Sequence, residues 1–177
     1  FNGLKIINVG RLTHQKNQII LLRAFAKLVK IRSARLLLVG SGSDKENLKN
    51  FINQKKINDK VKIIPFTPNP FKYISLSDIK VLSSRYEGNP NILLEIASLK
   101  KFIISSNCKV GPREILQSGK GGILYKVGDY NRLYLILKKI DLKSKYIKSK
   151  IENTYKYVHN NFQKDISNPF IDIIKKL

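Results

Sequence analysis

The stretch Ile79-Lys80-Val81-Leu82-Ser83-Ser84-Arg85-Tyr86-Glu87-Gly88-Asn89-Pro90-Asn91-Ile92-Leu93-Leu94-Glu95 reads as a strand, a loop and the opening of a helix. Ile79 to Leu82 is a short apolar run, and Ser83 to Asn89 is the loop that follows it. Asn89 is a natural N-cap, and Pro90 falls at the first helical position, where a missing N–H costs nothing. The helix is predicted over Pro90 to Leu99, with the N–H groups of Asn91 and Ile92 lacking intrahelical partners. Such an end carries about half a positive charge and attracts anions. Glu87 precedes it, and Glu95 lies about a turn and a half inside.

Two glutamates at arbitrary spacing are commonly two solvated side chains. Their position sets these apart, because ligands of open α/β sheets bind beyond the carboxyl ends of strands. A phosphate at the helix end, flanked by two acceptors for sugar hydroxyls, is a site for a nucleotide sugar.

Outward from this stretch, apolar runs alternate with amphipathic ones. Strands are predicted at Leu4–Val9, Leu36–Val39, Val61–Ile64, Ile79–Leu82, Phe102–Ser105 and Gly122–Leu124. Between them, helices are predicted at Asn17–Ile31, Asp44–Lys55 and Phe71–Leu76. The first of these has Ile20, Leu21, Ala24, Phe25, Leu28 and Ile31 on one face. Short, continuously apolar strands separated by helices indicate a parallel sheet. The expected architecture is α/β: a Rossmann-like, doubly wound parallel sheet of about six strands, with helices on both faces and a helical C-terminal tail. Residues 1–140 form the expected domain and 141–177 the tail. Helices are predicted at Tyr130–Ile140 and Lys143–Phe162, then a break at Asn168-Pro169 and a last piece over Phe170–Leu177. His159 reads as a surface residue of the tail.

At 177 residues the chain is one domain by size. No apolar run approaches the roughly 20 residues that span a bilayer. Lys5 interrupts the first apolar stretch, so no signal peptide is expected there. The single cysteine, Cys108, excludes an internal disulfide framework and reads as a small inert residue at a strand end. A reducing cytoplasm is the expected setting.

The formal net charge is +22. Lysines outnumber arginines 27 to 7 and are spread along the whole chain, among abundant Ile and Asn. Specific phosphate and base recognition favours arginine, so nucleic acid is the weakest explanation of the charge. Compositional bias ranks first. An anionic membrane surface comes second, at about 1 kcal/mol per nearby basic residue.

The first strand ends in Val9-Gly10-Arg11-Leu12-Thr13-His14-Gln15-Lys16-Asn17. Gly10 lets the backbone approach a ligand closely. Arg11 and Lys16 fall in the loop after the strand, which shares a rim with the loop holding Glu87. Two cations facing a helix N-terminus would bracket a diphosphate. Gly40-Ser41-Gly42 lacks the full G-x-G-x-x-G fingerprint, which argues against a nicotinamide or flavin oxidoreductase. The sequence also has no Walker, HExxH or zinc-spaced Cys/His pattern.

These segments, with Gly111-Pro112-Arg113-Glu114-Ile115-Leu116 and Gly121-Gly122-Ile123-Leu124, resemble in order the carboxyl-terminal half of glycosyltransferase family 4 enzymes. The similarity spans about residues 4 to 140. It implies the GT-B fold, in which two Rossmann-like domains face each other across a cleft and the carboxyl-terminal one binds the donor. Arg11 and Lys16 would neutralise the diphosphate, and Glu87 would contact the donor sugar; these three are the expected catalytic residues. Gly10 would allow close approach, Asn91 and Ile92 would offer backbone N–H groups, Glu95 would bind the ribose, and Phe66 would lie against the base.

The implied activity is retaining transfer of a hexose from a nucleoside diphosphate sugar, a UDP-sugar first among them, with no metal and no other cofactor. The acceptor would be a glycan or lipid-linked molecule of cell-surface polysaccharide synthesis, bound by an amino-terminal domain that these residues do not include. The isolated chain is expected to be inactive, and the parent enzyme cytoplasmic and peripheral at the inner face of the membrane. A nucleotide-sugar epimerase of related fold is the enzymatic alternative, and a basic nucleic-acid-binding module the non-enzymatic one. The chain departs from the family pattern at Pro65, where glycine is usual, and at Lys100 and Phe102, where glycine and proline are common.

Overall fold

A computed structural model of the chain describes residues 1–88 and 90–162. The strands are β1 (Leu4–Val9), β2 (Ala34–Val39), β3 (Val61–Ile64), β4 (Ile79–Leu82), β5 (Phe102–Ser106) and β6 (Ile123–Tyr125). They form one sheet in the order β3-β2-β1-β4-β5-β6, and every pair is parallel. The doubly wound sheet expected from the apolar runs is therefore the observed one.

The helices are α1 (Gln18–Leu28), α2 (Lys45–Gln54), α3 (Phe71–Ser75), α4 (Asn91–Ser98), α5 (Pro112–Ile115), α6 (Tyr130–Lys139) and α7 (Lys145–Asn161). Side chains alternate across each strand, so the sheet has two apolar faces. One face joins Ile6, Leu36, Val61, Ile79, Val81 and Ile104 to α1, α2 and α6. The other joins Ile7, Val39, Leu82 and Ile103 to Leu93, Leu94, Ile96 and Ala97 of α4 and Val158 of α7. Phe25 and Phe102 are buried in the first cluster, each contributing about 1.5–3 kcal/mol. Helix α7 is thus a packed part of the second layer.

Several helix ends differ from expectation. Helix α1 stops at Leu28, with Val29 donating to the Phe25 carbonyl, and Ile31 is 55% exposed instead of facing the core. Asn17, expected inside α1, is left-handed (φ 51°), a conformation asparagine tolerates better than most residues. Helix α4 opens one residue late, so Pro90 precedes the first helical residue instead of occupying it. The expected Asn89 cap, the Asn168-Pro169 break and the Phe170–Leu177 helix lie outside the described residues.

Helix α4 closes with Lys100 donating to Ala97 and Lys101 to Ile96, a Schellman arrangement. Lys100 adopts φ 50° there, so the turn that a glycine ordinarily supplies is made with lysine. Its ammonium sits 4.1 Å from the Tyr155 ring centroid, tying this turn to α7.

Candidate functional site

Strand order reverses between β1 and β4, because β1 connects outward through α1 to β2 whereas β4 connects through α4 to β5 on the other side. The loops after these two strands separate above the sheet and leave a crevice. Hydrogen bonds join them below it. Arg85 N donates to the Gln15 carbonyl at 2.8 Å, Ser83 Oγ to the Lys16 carbonyl at 2.9 Å and Gln15 Nε2 to the Tyr86 carbonyl at 3.2 Å.

These bonds bring Lys16 and Glu87 into contact across 71 residues of sequence. Lys16 Nζ donates to both carboxylate oxygens of Glu87, at 2.7 and 2.8 Å, and Ser84 Oγ donates to Oε1 at 2.5 Å. The Glu87 side chain is only 4% exposed and that of Lys16 18%. An ammonium has three N–H groups, so one is left for a ligand. The carboxylate has about four acceptor positions, so about one is left for a hydroxyl. The two residues are thus a preset pair, where the sequence suggested independent contacts. Arg11 is exposed on the same cavity wall and forms no ion pair with a described residue.

The second loop layer is held close by glycines. A Cβ on Gly40 would lie 2.0 Å from the Gly10 carbonyl oxygen, and one on Gly42 2.2 Å from that of Leu12. Ser41, between them, accepts from Phe66 N at 3.1 Å. This places the loop after β3 at the cavity rim, with Phe66 73% exposed.

Opposite lies the start of α4. Pro90 accepts from Leu93 N at 2.8 Å, so the amides of Asn91 and Ile92 come before the helical ladder and lie at the cavity. Gly111 (φ 84°) supports this end, since a Cβ there would meet Pro90 Cδ at 2.4 Å. Gly111→Ala is expected to push Pro90 and the α4 amides out of place. It should lower the melting temperature, which thermal denaturation of the variant beside wild type checks.

Gly10, Arg11, Lys16, Phe66, Glu87, Asn91, Ile92 and Glu95, every site residue singled out in the sequence, line one cavity of about 660 Å³. Glu95 projects from α4 into its wall; burial raises its carboxyl above the usual 4.5, and Lys80 acts against that rise. Lys80 itself was not singled out. It is completely buried in β4, and its Nζ donates to the Val9 carbonyl at 3.1 Å. Its signal was a lysine inside the apolar run Ile79–Leu82. Ser84, also unforeseen, positions Glu87 as described. Cys108 is buried behind these residues, Sγ 3.4 Å from the Ser84 carbonyl, with its thiol raised chiefly by burial. Among the described residues, no group of three His, Cys, Asp or Glu side chains could hold a metal ion. None of the described helices is long and apolar enough to cross a membrane.

Residues 2–157 match the family described as glycosyl transferases group 1. The chain belongs to that family. An uncharacterized glycosyltransferase of Methanocaldococcus jannaschii is 42% identical over 111 residues, 62% of this chain and 27% of that protein. The N-acetylgalactosamine-N,N'-diacetylbacillosaminyl-diphospho-undecaprenol 4-alpha-N-acetylgalactosaminyltransferase of Campylobacter jejuni is 31% identical over 133 residues, 75% of this chain and 36% of that one. Among solved structures, Anabaena HepE in complex with UDP-glucose superposes on 99% of this chain with a TM-score of 0.84 at 19% identity. This chain covers 50% of HepE. This chain thus spans about half of that neighbour and about a third or less of those two sequence relatives.

Proposed function

We propose that this chain is the donor-binding half of a retaining group 1 glycosyltransferase, which transfers a sugar from a nucleoside diphosphate sugar to a glycan or lipid-linked acceptor in polysaccharide synthesis. One observation carries this: Arg11, the third N–H of Lys16 and the α4 amides converge on one cavity, with Glu87 and Glu95 beside them. Two cations and a helix end suit a diphosphate, and two carboxylates suit the hydroxyls on either side of it. Solved neighbours whose names include UDP and UDP-glucose support a UDP-sugar as the donor. The names of relatives support the acceptor class, among them an amylovoran biosynthesis glycosyltransferase of Erwinia amylovora.

In this scheme catalysis rests on stabilising the departing diphosphate, whose growing negative charge Arg11, Lys16 and the α4 amides meet without rearranging. Glu87 fixes Lys16 and receives a sugar hydroxyl; Glu95 receives the ribose. Phe66, at the rim, packs on the base. The basic surface would hold the enzyme near anionic lipid at the inner face of the membrane.

Calorimetry with UDP, GDP, ADP and their sugars, without added metal, tests the donor role. Binding of at least one is expected, and failure of all at millimolar concentration would overturn it. Glu95→Gln should weaken nucleotide binding by about 1.5–3 kcal/mol, while Glu87→Gln should chiefly reduce the preference for nucleotide sugar over nucleotide. Glu95 also sets an acid limb. Only the ionised carboxylate is a full acceptor, and burial raises its pKa, so affinity should fall as pH drops through a range above the usual 4.5. The limb should vanish in Glu95→Gln.

A further inference from the structure

Lys80 has no place in the chemistry above, yet it is a completely buried amine directly behind the cavity. Its Nζ lies 3.1 Å from the carbonyl of Val9, a residue of the cavity wall. That carbonyl is its only hydrogen-bond acceptor among the described residues. An ammonium has three N–H groups to satisfy, and one acceptor serves a neutral amine far better.

The charged groups around it are few. Lys16 from the β1–α1 loop, Glu87 from the β4–α4 loop and Glu95 from α4 act on it. Strand β5, beside it, carries no ionisable side chain. Strand β1 has only Lys5, at its far end, paired with Asp78. Helix α3 carries Lys72, exposed over the Tyr73 ring. Burial holds the amine well below the ordinary lysine value, and Lys16 pushes the same way.

We propose that Lys80 is a proton-accepting counter-charge of the nucleotide pocket, taking a proton from solvent as a diphosphate settles in the cavity. With Lys80 neutral, the cavity residues Arg11, Lys16, Glu87 and Glu95 sum to zero charge. With Lys80 protonated the sum is one positive charge, and a diphosphate is held more strongly. By linkage, a ligand that raises the proton affinity of Lys80 binds more tightly when Lys80 is protonated. Affinity should therefore fall as pH rises between the free and liganded titrations of Lys80, by up to about tenfold per pH unit. Lys80 touches no substrate in this scheme and is a positioning charge.

The inference rests on the donor reading and can fail separately from it. UDP is titrated calorimetrically at pH 8, where its phosphates are ionised, in HEPES and in Tris, whose ionisation enthalpies differ. The change in observed enthalpy counts the protons taken up. Wild type should take up a measurable fraction of a proton, up to one, with UDP and none with uncharged uridine. Lys80→Met should bind UDP with no uptake and lose the alkaline fall in affinity. Methionine matches the length of most of the lysine stem and leaves no buried amine to satisfy, so Lys80→Met should fold and melt no lower than wild type. If it does not fold, the wild-type comparison of UDP with uridine still decides.

Binding of UDP by wild type without uptake, or uptake retained in Lys80→Met, would overturn the role of Lys80. Absence of binding by any nucleoside diphosphate would overturn the donor reading itself.

Discussion

Lys16→Met is expected to weaken UDP binding roughly ten- to a hundred-and-fifty-fold and to lower the melting temperature by about 6–12 °C. The affinity loss corresponds to one charge-assisted hydrogen bond, about 1.5–3 kcal/mol. The stability loss has a separate cause. Glu87 is 4% exposed and receives two bonds from Lys16, so removing the ammonium strands a buried carboxylate. Breaking a buried pair costs about 3–5 kcal/mol, and the 18% exposure of Lys16 places this case near the lower figure. At this chain length about 2–4 °C accompanies each kcal/mol.

The double variant Lys16→Met, Glu87→Gln separates the two effects. It leaves no unpaired charge, so much of the stability should return while nucleotide affinity stays low. Thermal melts and calorimetry on the single and double variants check this. Equal stability of wild type and Lys16→Met would show the ion pair to be a solvated contact. Unchanged UDP affinity would remove Lys16 from the phosphate site.

The fold was legible because its strands are short apolar runs with clear stops, and a parallel sheet buried on both sides needs no finer pattern. The cavity was legible for a related reason. Two loops at the carboxyl ends of β1 and β4 must share a rim, so Arg11, Lys16, Glu87, Asn91, Ile92 and Glu95 could be placed together before any coordinates. Pairing was not legible, because nothing local says that Lys16 reaches Glu87 across 71 residues. Lys80 escaped because lysine is almost never fully buried, so one lysine in an apolar strand suggests an edge or a solvated stem. Helix ends escaped by a residue or more where a left-handed Asn17 or Lys100 substituted for glycine. The four-residue α5 is too short to show a helical period.

Residues 1–177 alone are expected to bind the donor and to transfer no sugar. Every group proposed for the donor lies around one cavity at the carboxyl edge of a single sheet. This chain covers half of HepE and 36% of the Campylobacter relative, and in the proposed scheme the acceptor site belongs to residues outside it. Holding both reactants in attacking geometry contributes roughly 7–11 kcal/mol, and a surface that orients only the donor forfeits that share. Slow release of free sugar to water is compatible with this, because water needs no acceptor site. Transfer should return when the remaining part of the parent enzyme is supplied, fused or in trans. The assay is radiolabelled sugar transfer to lipid-linked or oligosaccharide acceptors, with donor binding measured on the same sample. Multiple-turnover transfer by residues 1–177 would place an acceptor site on this chain and overturn its role as the donor half alone. Binding without transfer, rescued by the added part, would establish it.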